Sequence, residues 1–510
     1  MMVGELLQAL TKALPPEQRF EMPADARALA VGCTGITHDS RRVTPGSIFV
    51  ALRGLKADGT AFAAQAIASG AVAIVAESGP QAADRRPKTD VPWIVVKDAR
   101  LALALLAAEF YGHPSTRMRV VGITGTNGKT TTSYLISAIY EAAGVSCGLM
   151  GTVTYRIGTR EFPATRTTPE APEVQGLMHQ MVDAGCGACV MEVSSHALAL
   201  RRVDGIRFAA GVYSNLTRDH LDFHADMEDY FAAKRRLFEM LPDDAPAVIN
   251  LDDPRGASLL DVVRRPVTYA INKPADVTPG PLSYSLGGTE FDVRTPQGVV
   301  RVKSKLVGKP NVYNILAAVA TTAALDVPLE AIERGLETLA GVPGRFEVVS
   351  AGDDDITVVI DYAHTDDALR NLLETARPLA PRRLITVFGA GGDRDRTKRP
   401  LMGMVAARLS DVVIITSDNP RGEDPARIID EVKRGATPET RQGGAEVIAI
   451  VDRREAIRSA ITRAEKQDVV LIAGKGHEKY QEIAGRVLPF DEVALARKAL
   501  EARRLKSRVG

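Results

Sequence analysis

Cysteine is scarce in this chain, with four residues in 510. So few cannot build the disulfide framework of a small secreted fold. The one C-x-x-C spacing, Cys186-Gly-Ala-Cys189, has no second pair to complete a zinc site and runs straight into an apolar strand, so buried thiols are expected rather than a redox or metal role. Long apolar runs are also missing. No stretch reaches the roughly 18 residues of a membrane span, and Met1–Phe20 breaks its apolar pieces with Glu5, Lys12 and Glu17, so no secretory leader is expected. Charge of one sign is lacking too: 64 Lys and Arg against 63 Asp and Glu leave +1, no field to draw the chain onto nucleic acid or a lipid surface. The expectation is a cytoplasmic globular protein with no nucleic-acid partner and no membrane insertion.

What is present is an ordinary globular composition, 45% hydrophobic and 25% charged, in a chain too long for one core. At one domain per ~150 residues, three are expected. The most informative stretch is Val120-Val-Gly-Ile-Thr-Gly125-Thr126-Asn127-Gly128-Lys129-Thr130-Thr131, an apolar run that breaks into glycines and opens a helix. Two glycines let backbone N–H groups turn inward around an anion, Lys129 supplies a point charge for the outer phosphates, and Thr130 offers a hydroxyl to Mg²⁺ at a positive helix N-terminus. The match to G-x-x-x-x-G-K-[ST] is partial, because Ile123 stands at the first glycine position.

Residues 1–115 alternate apolar runs (47–52, 71–76, 93–96) with Ala-rich helical stretches and read as a small α/β domain. After the turn 112–115, a second domain to residue 344 carries the phosphate loop. Its apolar strand Ala188–Met191 ends in Glu192-Val-Ser194-Ser-His196, and strand Phe208–Val212 ends in Ser214-Asn-Leu-Thr-Arg-Asp-His220. A carboxylate at the C-terminal end of a buried parallel strand points into the crevice where ligands bind, which makes Glu192 a candidate Mg²⁺ ligand. His220 is a candidate site residue, His224 a weaker one. The alternation over 281–306 predicts an antiparallel hairpin attached to the central sheet. From 345 to 510 strands and helices alternate regularly, as in a doubly wound α/β domain. Its strand ends carry Asp361-Tyr-Ala-His364, Asp393-Arg394, Asp418-Asn419-Pro420-Arg421-Gly-Glu423 and Gly474-Lys-Gly-His-Glu478. Such mixed charge predicts a zwitterionic ligand. The basic tail 496–510 predicts a solvated helix.

Thr124-Gly-Thr-Asn-Gly-Lys-Thr-Thr, Met191-Glu-Val-Ser-Ser-His, Asn215-Leu-Thr-Arg-Asp-His, Asp361-Tyr-Ala-His-Thr and Gly474-Lys-Gly-His-Glu together resemble the Mur ligase family, over about residues 34–490. The resemblance implies an N-terminal UDP-binding domain, a central ATPase-like domain and a C-terminal Rossmann-like domain. It also implies a reaction in which ATP phosphorylates a peptide carboxylate and an amine attacks the acyl phosphate. Order and spacing match the member that adds the third residue of the peptidoglycan stem peptide. The implied substrates are ATP, UDP-N-acetylmuramoyl-L-alanyl-D-glutamate and, from Asp418–Arg421, meso-2,6-diaminopimelate. Two Mg²⁺ ions, held by Thr130, Glu192, His220 and a Lys234 carbamylated by CO₂, follow from the same likeness. A monomeric protein is expected. By resemblance Asn311, Arg345, Asp361 and His364 join the phosphate loop in holding ATP. His38, Ser40, Leu55, Lys56, Ala57, Thr167, Thr168, Ser194, Leu200 and Arg202 hold the uridine nucleotide. Arg394, Asp418, Asn419, Pro420, Arg421, Gly474 and Glu478 hold the amino acid. An arginine fork suits the second carboxylate of diaminopimelate, and lysine would leave Arg421 buried without a partner. A lysine-adding ligase, a folylpolyglutamate synthetase-like ligase and a non-catalytic nucleotide-binding protein remain as alternatives.

Overall fold

Short β-branched runs separated by helical stretches produce three mainly parallel sheets in succession along the chain. The computed structural model describes residues 1–54, 57–80, 91–440 and 444–509. In the first sheet Gly35–Thr37, Ser47–Ala51, Ala73–Ala76 and Trp93–Val95 lie side by side in chain order, all parallel. Ser47–Ala51 and Ala73–Ala76 are buried at every residue because helices cover both faces. Leu55 and Lys56, expected at the uridine nucleotide, lie outside the described residues.

The second sheet has eight strands. Pro266–Tyr269, Ala247–Asn250, Ala210–Tyr213, Arg119–Thr124, Ala188–Glu192 and Cys147–Met150 run parallel, and Thr154–Ile157 and Arg160–Pro163 extend the sheet antiparallel. Helices Lys129–Ala142 and Lys309–Ala324 seal one face through Leu135, Ile139, Ile315 and Val319. Val174, Met178, Leu237 and Phe238 seal the other. The predicted hairpin forms, as Gly288–Thr295 with Gly298–Ser304, but it is not an extension of the central sheet. It belongs to a separate four-stranded sheet with Thr278–Pro279 and Ser283–Ser285. Its apolar face (Phe291, Val293, Val300, Val302) packs against Val312, Leu316 and Leu336, and an isolated parallel bridge between Tyr269 and Val277 joins the small sheet to the end of the central one, so side-chain burial with little strand pairing attaches it.

In the third sheet the order is Glu347–Val348, Thr357–Asp361, Val469–Ala473, Leu384–Phe388, Val412–Ile415, Glu446–Ala449. All are parallel except the first. The C-terminal ends of four neighbouring strands therefore share one edge. A two-stranded hairpin, Tyr480–Ile483 with Arg486–Pro489, stands beside that edge. The terminal helix Glu492–Val509 is not simply solvated. Ala496 and Leu500 are buried, Arg503 pairs with Asp355 at 2.7 Å, and Glu492 meets Arg453 at 2.6 Å with both side chains fully buried. Among the described residues no helix is long and apolar enough to cross a membrane.

Candidate active site

Strand Arg119–Thr124 lies inside the eight-stranded sheet, and its chain leaves the C-terminal edge as the phosphate loop. Gly125 (φ 144°) and Gly128 (φ 90°) hold left-handed conformations. A Cβ at Gly125 would sit 1.9 Å from Ser214 Oγ, and one at Gly128 2.4 Å from Asn314 Oδ1, so both positions require glycine. The neighbouring strand end fixes the loop from the side: Thr126 N donates to Asn215 O, and Asn127 N to Asn215 Oδ1, each at 2.9 Å. Lys129 Nζ folds back on the carbonyls of Gly125 (2.9 Å) and Thr126 (2.8 Å), where it closes the loop on itself. Burial lowers its pKa, against the opposing pull of Glu192 and Asp219.

Glu192 ends the adjacent strand and is 1% exposed. Its carboxylate accepts from Thr130 Oγ1 (3.1 Å), Thr152 N (2.8 Å) and Thr152 Oγ1 (3.0 Å). Thr152, absent from the sequence reading, thus does as much to orient this carboxylate as Thr130. The glycine before it was the available signal, since a Cβ on Gly151 would lie 2.4 Å from Glu192 Oε1. One layer out, Thr168 Oγ1 donates to Glu192 O at 2.8 Å and accepts from Ser194 N at 3.1 Å. Arg202 donates to Thr168 O at 3.0 Å and pairs with Glu170 at 2.7 Å.

Across the crevice, Arg345 Nη2 donates to Thr130 Oγ1 at 3.1 Å while its guanidinium lies 4.6 Å from the Tyr362 ring centroid. Asp361 accepts from Phe346 N and Ala363 N, and burial raises its pKa. His364 Nδ1 donates to Tyr362 O at 3.0 Å, which turns Nε2 toward Asp219, 4.0 Å away; burial lowers the ring's pKa. The phosphate loop, Glu192, Asp219, His220, Asn311, Arg345, Asp361, His364 and Arg394 line one cavity of about 670 Å³, together with Thr167, Thr168, Ser194 and Arg202. A second cavity, about 610 Å³, opens from Asn127 and Gly128 between Asn250–Pro254, Tyr313 and helix Asp366–Ala376.

His220 has φ 55° and stacks edge-on to His196 at 4.8 Å. His224 is held away from the cavity between Ser195 Oγ (2.9 Å) and Asp229 (3.1 Å). Lys234 is 1% exposed, with Nζ 4.3 Å from the Tyr230 ring centroid and neither a hydrogen-bond acceptor nor an ion-pair partner among the described residues. Burial, then the Lys129 cation, drives its pKa well below that of an ordinary lysine. Among the described residues no group of three His, Cys, Asp or Glu stands ready as a metal site. Thr130 and Glu192 nonetheless place hard oxygen donors at the phosphate loop, the donor type Mg²⁺ takes.

The residues expected at the uridine nucleotide are divided. His38 lines a further cavity of about 430 Å³ with Arg42, Glu170 and Glu173. Ser40 donates to Gln65 at 3.2 Å, Ala57 is exposed, and Leu200 ends the short helix Ser195–Ala199. Among the amino-acid residues, Asn419 faces inward, accepting from Lys475 Nζ (2.9 Å) and Glu482 N (3.0 Å) and donating to Glu478 (2.9 Å). Gly474 (φ 120°) lies against Asp418, 2.5 Å from its would-be Cβ, and Pro420 is buried. Arg421 departs from expectation in one respect. It has protein partners, donating through Nη1 to Gly392 O at 2.8 Å and lying 3.3 Å from Glu482, so lysine would not leave it unpaired.

Family models match along the chain: "Mur ligase family, catalytic domain" over residues 33–111, "Mur ligase middle domain" over 123–322 and "Mur ligase, glutamate ligase domain" over 344–476. The chain belongs to the Mur ligase family. This Mur ligase is 46% identical over 504 residues to the UDP-N-acetylmuramoyl-L-alanyl-D-glutamate--2,6-diaminopimelate ligase of Solibacter usitatus, covering 98% of each chain. It is 47% identical to the ligase of that name from Geobacillus thermodenitrificans, covering 91% of this chain and 94% of the relative. A solved diaminopimelate ligase of the same name superposes with a TM-score of 0.69 at 35% identity, covering 99% of both chains. The MurF ligase of Thermotoga maritima, solved with ADP, shares the fold at 21% identity, covering 92% of this chain and 98% of that one (TM-score 0.64).

Proposed function

We propose that this Mur ligase joins meso-2,6-diaminopimelate to UDP-N-acetylmuramoyl-L-alanyl-D-glutamate with cleavage of ATP to ADP and phosphate. It would act as a monomer in the bacterial cytoplasm, through a UDP-binding unit (1–115), an ATP-binding unit (116–344) and an amino-acid-binding unit (345–510). The observation that carries the mechanism is the single cavity in which the phosphate loop, Glu192, Arg345 and Arg394 face one another. Phosphoryl transfer needs positioning and charge neutralisation more than covalent help. Lys129, released from the loop carbonyls, meets the outer phosphates, and Arg345, held on Tyr362, adds a second cation from across the crevice. Thr130 and Glu192 would hold Mg²⁺, with His220 and a carbamylated Lys234 completing a second site. When bound, the metal neutralises charge on the transferring phosphoryl group. A neutral, unpaired lysine amine is the form that combines with CO₂, and the resulting carbamate is an anionic oxygen ligand. Thr168, Ser194 and Arg202 present the peptide carboxylate to the γ-phosphate. The cavity between Asn250–Pro254 and helix Asp366–Ala376 takes the nucleoside. Arg394 and Arg421 then receive the distal carboxylate of diaminopimelate, and Glu478 its ammonium.

Phosphate release and product mass, measured with ATP, Mg²⁺ and the UDP-dipeptide plus diaminopimelate, lysine or neither, test this. Release and product that depend on diaminopimelate are expected; dependence on lysine would overturn the specificity. Arg421→Ala should raise the KM for diaminopimelate far more than that for ATP, and equal effects would remove Arg421 from the amino-acid site.

A further inference from the structure

Arg394 and Arg421 stand on different loops, 389–397 and 416–424, so their spacing depends on how those loops are joined. The join is made by a side chain that touches neither arginine. Arg399, in helix Lys398–Leu409, is 0% exposed, and its guanidinium grips Glu423 with both arms: Nη2 to Oε1 at 2.8 Å and Nη1 to Oε2 at 3.0 Å. The same guanidinium donates to Gly391 O (3.1 Å) in the first loop and to Glu431 (2.8 Å) in the helix behind the second. Glu423 returns the connection, accepting from Asp393 N at 2.6 Å and from Arg396 at 2.8 Å. Asp393, at φ 52°, accepts from Gly422 N at 3.0 Å, and Gly392 N donates to Asn419 O at 2.9 Å. Contact here is so close that a Cβ on Gly392 would fall 1.9 Å from Pro420 O.

We infer that Arg399 and Glu423 are positioning residues for diaminopimelate recognition, a buried brace that sets Arg394 and Arg421 at the separation one carboxylate requires. Substrate does not touch them. A surface pair would do this poorly, since exposed ion pairs are weak and mobile, whereas a bidentate pair on a buried guanidinium, whose two terminal nitrogens also reach Gly391 O and Glu431, ties the two loops in one geometry. The inference rests on the placement of Arg394 and Arg421 in the amino-acid site.

The test compares Glu423→Gln, Arg399→Lys and, as a control for the site itself, Arg421→Ala. KM is measured for diaminopimelate, ATP and the UDP-dipeptide, with thermal unfolding recorded in parallel. Glu423→Gln and Arg399→Lys should raise the diaminopimelate KM about tenfold, as expected when a charge-assisted bond loses its alignment. KM for the other two substrates should stay within about twofold, and the preference for diaminopimelate over lysine should fall. Should burial make these variants unfold, Asp393→Gly removes only the exposed acceptor of Gly422 N, relieves the positive φ and should raise the same KM about threefold. A lowered melting temperature with unchanged diaminopimelate KM in the folded variants, while Arg421→Ala still raises it, would overturn the brace alone. Unchanged KM in Arg421→Ala as well would overturn the site on which it rests.

Discussion

Glu192 shows how little freedom a single carboxylate has here. Three donors from two residues hold its oxygens, and both residues lie at the mouth of the phosphate loop. Glu192→Gln keeps the shape and removes the charge, so kcat in steady-state assays should fall at least about 100-fold, while the KM for diaminopimelate changes little. Thr152→Val leaves the backbone donor and removes the hydroxyl, and a loss of about tenfold in kcat is expected. An undiminished rate in Thr152→Val would show that Thr130 suffices. Lys234 makes a separate prediction. Burial, with the Lys129 cation, disfavours its charged form, and ¹³C NMR of protein equilibrated with ¹³C-bicarbonate should reveal a carbamate carbon. Lys234→Met should lack that signal and nearly all activity. A wild-type spectrum without the signal would leave Lys234 a buried amine.

At the scale of elements, what was legible in the sequence depended on how local the cause was. The strands of the third sheet stand out because runs such as Val412–Ile415 and Val469–Ala473 are apolar throughout, as strands covered on both faces must be. The phosphate loop is legible because its glycines answer to local backbone demands. Helix Ala171–Asp183 is masked by Pro172 and Gly176, although Val174, Met178 and Met181 keep the helical spacing. The hairpin Tyr480–Pro489 is masked by its exposed, charged residues, and the pairing of Arg453 with Glu492 spans a sequence distance that no pattern encodes. The brace has the same character and carries an acid-stability consequence. Chiefly through its bonds to Arg399, Glu423 titrates at about 2 in the folded chain, against an ordinary 4.5. The unfolded chain therefore binds the proton first as pH drops. The contribution is full above about 4.5 and disappears as pH falls toward about 2. Melting curves from pH 7 to 3 should show wild type losing its advantage over Glu423→Gln as the solution becomes acidic; a constant gap would contradict this.

For the whole molecule, the relevant contacts are those that residues around the third sheet make with the phosphate loop and the strand end beside it. Asn127 Nδ2 donates to Asp367 at 3.1 Å, Arg345 reaches Thr130 at 3.1 Å, and Arg218 lies 3.7 Å from Asp366. Asp367→Ala removes the acceptor at Asn127 and should raise the KM for ATP about threefold to tenfold, with little change for diaminopimelate. An unaltered KM for ATP would mean that the contact has no role in nucleotide binding. With ATP placed as proposed above, these same contacts tie the nucleotide's pocket to the third sheet. We expect ADP to leave as these contacts part, a motion opposed by the friction of the surrounding liquid. Added glycerol or sucrose should slow turnover in proportion to bulk viscosity wherever opening, rather than bond making, sets the pace.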